Sequence, residues 1–245
     1  MTKNRYIKRT VADFDRIEWL DAKHRTHSVR VAGPESVRDI KPAQLSRRAG
    51  KWVGQQAHQG YYWCAGMQAH VWHESMTEFT SLMLVDHLYE IAEILAQPLL
   101  LTFADGSHHH PDFLITGADG SRWLLDVHIK AMTTESDEKK FKLTAALCER
   151  VGWSYELLDA VTNTERWNLE LLARWAHPRF APSPVERRRL LTLANSCRTF
   201  GELRVSANRP FPAAALPAIY HLMWKRNIIF ALDRPFTDDT LIEAA

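Results

Sequence analysis

The chain has 245 residues, 46% of them hydrophobic and 24% charged, which is the make-up of a globular protein with room for one full domain and a small second one. No apolar run approaches the length of a membrane span and the N-terminus is charged where a secretory signal is apolar, so a cytoplasmic protein with no membrane association is expected. The formal net charge of +2 is too small to argue for nucleic acid by itself, and Cys64, Cys148 and Cys197, far apart and without a C-x-x-C pair, exclude a disulfide framework or a cysteine zinc site.

Residues 1–59 read as a basic N-terminal extension. Met1 to Gly50 holds twelve Lys or Arg against six Asp or Glu, with a weakly amphipathic piece over Val11 to Lys23 and a basic stretch ending at Arg47, Arg48 and Lys51. Such an arm either lies along phosphates or is a solvated tail. Tyr61 to Trp63 and Val71 to Trp72 follow as a pair of strands or a lid, with packing of their aromatic rings favoured over stacking on bases. From His73 to Ala96, apolar residues recur every three or four positions, which predicts a core-facing helix broken near Asp86. Glu74 and Glu78 lie one turn apart on that helix, so either carboxylate can lean towards a common site; two surface acids are the plainer alternative.

Leu99 to Phe103 reads as a strand. Phe113 to Ile115 and Trp123 to Ile129 are apolar runs separated by Gly117, Asp119 and Gly120, the turn chemistry of a hairpin. Asp112 and Asp126 then sit on neighbouring strands. Alternation places Asp126, His128 and Lys130 on one face, with Val127 and Ile129 turned to a core. Two carboxylates and a basic group suit phosphodiester hydrolysis, because hard oxygen ligands hold Mg2+ and a neighbouring cation stabilises developing charge. The run His108, His109 and His110 cannot serve one zinc ion as a set, since adjacent residues of an extended chain point to alternate sides. A histidine just before Pro111-Asp112 can still meet phosphate.

Glu138 to Val151 reads as a helix and Trp153 to Leu158 as a strand, giving an α-β-β-β-α-β order. A linker with Asn168 and Trp175 leads to the stretch from Pro178 to Pro184, whose three prolines mark a domain boundary. Ser183 to Glu186 is a capping box with Pro at the first helical position, opening a helix to about Ser196. Two further helical pieces, Thr199 to Val205 and Ala213 to Arg226, and a strand with a turn over Ile228 to Phe236 suggest a winged-helix module. Arg187, Arg188 and Arg189 are available to phosphate or to a protein partner.

The chain resembles the TnsA-like endonuclease subunits of heteromeric transposases, which belong to the restriction-endonuclease-like, PD-(D/E)xK nucleases. The resemblance rests on the order and spacing of Gly60-Tyr61-Tyr62-Trp63, Glu74-Ser75 through Glu78, Gln97-Pro98, His110-Pro111-Asp112-Phe113, Leu125-Asp126-Val127, Val151-Gly152-Trp153 and Tyr220-His221-Leu222-Met223-Trp224. It implies an α/β fold: a restriction-endonuclease-like αβββαβ core, a mixed central sheet flanked by helices, over residues 60–177, and a small winged-helix-like module over 183–245. It also implies an Mg2+-dependent (or Mn2+-dependent) DNA endonuclease that cuts the 5′ ends of a transposon beside an integrase-like transposase subunit, with an AAA+ ATPase regulator as a further partner. Carried over by position, Glu78, Asp112 and Asp126 are the metal ligands, with Glu74 in reserve for Glu78. The family's catalytic lysine falls at His128, leaving His128 or Lys130 to supply the cation. The alternatives are a catalytically degenerate DNA-binding and assembly subunit, or a stand-alone restriction or repair nuclease.

Overall fold

The computed structural model describes residues 14–43, 45–46, 58–208 and 214–245; the basic stretch at Arg47, Arg48 and Lys51 lies outside them. The chain is mixed α/β and divides into two compact units, Met1–Tyr62 with His70–Phe79 and Glu90–Ala160, and Trp63–Ala69 with Thr80–Tyr89 and Val161–Ala245. In chain order the elements up to the end of the first unit are β1 (Arg16–Leu20), β2 (Thr26–Arg30), β3 (Gly60–Cys64), β4 (Ala69–His73), α1 (Met76–Leu88), β5 (Ile91–Ala96), β6 (Leu99–Thr102), β7 (His108–His109), β8 (Phe113–Gly117), β9 (Arg122–Val127), α2 (Glu135–Val151) and β10 (Ser154–Leu158). There follow α3 (Asn163–Ala173), α4 (Pro184–Ser196), α5 (Phe200–Ala207), α6 (Leu216–Trp224), β11 (Ile228–Ile229) and β12 (Glu243–Ala244). No helix of the described residues is long and apolar enough to cross a membrane.

Two four-stranded sheets make up most of the first unit, ordered β2-β1-β6-β7 and β10-β9-β8-β5. In the second, β8 runs antiparallel to β5 and to β9, while β10 runs parallel to β9 after the crossover through α2. Leu114 of β8, Leu124 of β9, Ile17 of β1, Leu99 and Leu101 of β6, and Leu147 and Val151 of α2 form one buried cluster. The β8–β9 turn is set locally: Gly120 takes φ 83°, and Asp119 Oδ1 accepts the Ser121 N–H at 2.9 Å. At its far end α2 stops at Gly152, whose left-handed φ of 74° returns the chain to β10.

Three expectations change here. The segment expected to be part of an N-terminal extension supplies β1, because Ile17 and Leu20 are buried and β1 pairs antiparallel with β6. The helix expected over His73 to Ala96 ends at Leu88, and Ile91–Ala96 is a strand with a register shift between Ile91 and Glu93. That bulge places Ile91 and Ile94 three apart with both buried, which imitates helical spacing. Leu99–Thr102, expected as the first strand of the hairpin's sheet, pairs in the other sheet, and β5 takes its place beside β8.

The last segment of the second unit starts at Val161, ahead of the proline-bearing stretch, because the expected linker holds the helix α3, whose Leu172 belongs to the unit's core with Leu190, Phe200, Leu203, Leu222 and Trp224. Buried Asn168 of α3 donates through Nδ2 to the carbonyls of Leu232 and Arg234, both at 2.8 Å. The Ser183 hydroxyl caps α4 by accepting the Glu186 N–H, while the Glu186 carboxylate is drawn to Arg189 at 2.6 Å. Ile228–Ile229 pairs with Glu243–Ala244 near the chain's end, where a turn through Phe236 was expected.

Candidate active site

The hairpin brings its two acids together. With Phe113 opposite Leu125, the register carries Asp112 to Asp126, and two hydrogen bonds tie the strands there: the Asp112 N–H donates to Asp126 Oδ1 at 3.1 Å, and the Val127 N–H donates to Asp112 Oδ2 at 2.9 Å. The pair is thereby locked at the point where β8 begins and β9 ends. Both line a cavity of about 540 Å³ together with His109, His128, Lys140 and Phe141.

Asp126 is 3% exposed, and an anion so removed from water needs donors. It has three: besides the Asp112 N–H, the Tyr155 hydroxyl donates to Oδ2 at 2.6 Å, and His109 Nε2 lies 3.2 Å from the same oxygen. The other ring nitrogen of His109 is 2.8 Å from Thr144 Oγ1 on α2. Since a carboxylate oxygen only accepts, the Nε2 of His109 carries the hydrogen in that contact. Burial, and then the charge of Asp126, push the Tyr155 phenol far above its ordinary range, so it remains a donor at any working pH. The same two causes push the Cys148 thiol up to about 12 and keep it neutral.

Glu78 is elsewhere. Its Oε2 accepts the Glu74 N–H at 2.7 Å, its Oε1 accepts the Ser75 hydroxyl at 3.1 Å, and its own N–H donates to Ser75 Oγ at 3.1 Å, which together cap the start of α1. Glu78 is absent from the cavity wall. Glu74 lies nearer to the aspartates along the chain of bonds: Gln97 donates through Nε2 to its carboxylate at 2.8 Å, and the Gln97 N–H donates to the Asp112 carbonyl at 2.6 Å. Gln97 holds a left-handed φ of 42° while fully buried, a conformation that a non-glycine residue keeps only where its surroundings enforce it.

The expected face of Asp126, His128 and Lys130 is kept for the first two only. β9 ends at Val127, Ile129 is 40% exposed where a core position was expected, and Lys130 starts a short 3-10 turn through Met132. The Lys130 N–H donates to Asp159 Oδ1 at 3.0 Å, and Lys130 lines an adjoining cavity of about 580 Å³ with Leu157 and Asp159. His128 packs edge-on against Phe141 at 5.3 Å, and its Nε2 is buried with no hydrogen-bond partner among the described residues. Of the three-histidine run, His108 contacts Thr102 Oγ1 at 3.2 Å, His110 contacts Ser46 Oγ at 2.8 Å, and His109 serves Asp126.

The donor set fits a hard divalent cation in one respect. Mg2+ keeps several waters and is commonly held by one or two carboxylates with the substrate's phosphate, and Asp112 and Asp126 present two on adjacent strands. Among the described residues no group of three or more His, Cys, Asp or Glu side chains gathers as a metal site. Compared with known proteins, the chain matches no family model and no curated protein.

Sequence reasoning missed His109, Tyr155 and Lys140. Tyr155 and Lys140 stand 29 and 14 positions after Asp126, and no local pattern ties them to it. His109 carried a signal, since alternation along the run separates it from His108 and His110.

Proposed function

We propose that this chain is a divalent-metal-dependent DNA endonuclease with a restriction-endonuclease-like core, acting as the TnsA-like subunit of a heteromeric transposase. The observation that carries the reading is the pairing of Asp112 and Asp126, tied by hydrogen bonds from the Asp112 and Val127 N–H groups, at the open end of the β8–β9 hairpin. It is supported by the mixed sheet β10-β9-β8-β5, preceded by α1 and with α2 crossing from β9 to β10, while β6 and β7 between β5 and β8 pair in the other sheet. In this reading the substrate is duplex DNA at transposon ends, and the partners are an integrase-like transposase and an AAA+ ATPase. The helices α4 to α6 with β11 and β12 act as a winged-helix-like module for one of these contacts.

The residues divide the work. Asp112 and Asp126 would hold Mg2+ or Mn2+, which would polarise a phosphoryl oxygen and activate a water. Tyr155 and His109 fix the Asp126 carboxylate so that no side-chain reorganisation accompanies charge development. Phe141 and the ring of His128 form an apolar wall that limits water in the cavity.

A second reading, an assembly subunit that binds DNA without cutting it, is favoured by one observation, the engagement of the Glu78 carboxylate in a cap at the start of α1. Full-length protein incubated with transposon-end DNA and Mg2+ or Mn2+, with and without the integrase-like subunit, separates the two. Cleavage of the 5′ strands that needs both the partner and Asp112 supports the endonuclease; partner-dependent binding with every strand intact supports the assembly subunit. Cutting of unrelated plasmid without a partner points to a stand-alone nuclease.

A further inference from the structure

The resemblance expects a cation two residues beyond Asp126, at His128. His128 lines the acidic cavity, but its Nε2 is buried with no hydrogen-bond partner among the described residues, and Lys130 opens on the neighbouring cavity. A phosphate entering beside two carboxylates still needs positive charge from the protein, because repulsion between like charges opposes its approach.

We propose that Lys140, from the second turn of α2, is the cation that contacts the phosphate being cut; this rests on the nuclease reading above. Lys140 lines the same cavity as Asp112 and Asp126. Its position relative to Asp126 is fixed by a continuous run of contacts: the Lys140 carbonyl lies 2.9 Å from Thr144 Oγ1, Thr144 Oγ1 lies 2.8 Å from His109 Nδ1, and His109 Nε2 lies 3.2 Å from Asp126 Oδ2. One residue further on, the Phe141 ring contacts both His109 and His128, at 6.3 and 5.3 Å, and seats this turn of α2 over the ends of β7 and β9.

The side chain is tethered without being used up. Thr134 and Asp137 form the capping box of α2, in which Asp137 Oδ2 accepts the Thr134 N–H and hydroxyl at 3.2 and 2.7 Å. The other oxygen, Oδ1, holds Lys140 Nζ at 2.8 Å. An ammonium has three donors, so two remain for phosphate oxygens while Asp137 keeps the third. The neighbouring lysines are committed differently: Lys139 pairs with Asp105 at 2.7 Å and is 66% exposed, and Lys142 faces Glu138 at 3.7 Å.

The test compares the full-length parent with Lys140→Gln, Lys140→Arg, Lys139→Ala and Asp112→Ala. Gln retains a donor for Asp137 without the charge, so a folded protein is expected and is checked by its melting temperature. In EDTA, duplex DNA binding by Lys140→Gln is expected to show a salt dependence shallower by about one phosphate contact, with Lys140→Arg restoring the parental slope. With Mn2+, cutting by Lys140→Gln is expected to fall roughly 100-fold or more, as when one transition-state donor is removed, while Lys139→Ala cuts like the parent. A folded Lys140→Gln protein that binds and cuts like the parent, with Asp112→Ala inactive, overturns this inference and leaves the nuclease standing. A parent that cuts no DNA under either ion, with or without its partner, overturns the nuclease reading and the role of Lys140 with it.

Discussion

Asp126 shows how a buried carboxyl group finds donors inside a protein. A hydrogen bond to an ionised group contributes more than a neutral one, about 1.5–3 kcal/mol against about 1 kcal/mol, and Asp126 has three donors for two oxygens. The Tyr155 hydroxyl gives the shortest of the three contacts, and Phe keeps the ring that packs beside the core cluster. Tyr155→Phe is therefore expected to lower stability by about 1.5–3 kcal/mol, measured as a shift of the urea midpoint at constant slope. An unchanged midpoint would show that Asp126 does not depend on this donor.

At the scale of elements, Glu78 is engaged by Glu74 and Ser75 in a cap at the start of α1. Ser75-Met76-Thr77-Glu78 is an S-x-x-E sequence directly before an apolar run, so the cap was legible in the chain; the four-residue spacing of Glu74 and Glu78 drew attention to a shared face instead. Glu78→Ala is expected to cost about 1 kcal/mol of stability by removing the acceptor for the Glu74 N–H, with Glu78→Gln close to the parent in the same denaturation experiment. The β8–β9 hairpin was legible because its turn residues and its two apolar runs agree on one register. β5 was not, because its bulge turns a strand's period of two into an apparent three. The contacts of His109, Tyr155 and Lys140 with the aspartate cavity were not legible either, since they come from elements that meet only when β7, α2 and β10 assemble around β9.

Over the whole molecule, acid stability follows from buried histidines in the second unit. His87 is buried, its Nδ1 lies 2.9 Å from the Trp224 carbonyl, and burial pushes its imidazole down to about 4. His221, beside the Trp175 carbonyl, is pushed down by burial as well. Both rings are neutral when folded, whereas an unfolded histidine takes up a proton near its ordinary value. The stability contribution of His87 is thus complete above about pH 6.5 and is lost progressively as pH falls towards 4, to a limit of ~3 kcal/mol. Chemical denaturation at pH 7.5 and 4.5 is expected to show this loss in the parent and a smaller one in His87→Gln, whose side chain does not titrate; equal losses in the two proteins would contradict it. The second unit also takes in α3, because Leu172 and Asn168 are tied to later segments and sequence composition alone points to the prolines that follow.

The central claim is that Asp112 and Asp126, without Glu78, hold one divalent ion. Mn2+ titration followed by electron paramagnetic resonance tests it most directly, with full-length parent, Asp112→Ala, Asp126→Ala and Glu78→Gln side by side. The account predicts one bound ion in the parent and in Glu78→Gln, and a loss of affinity of at least tenfold in each aspartate variant. Binding that survives both aspartate substitutions, or that disappears in a folded Glu78→Gln protein, would contradict it.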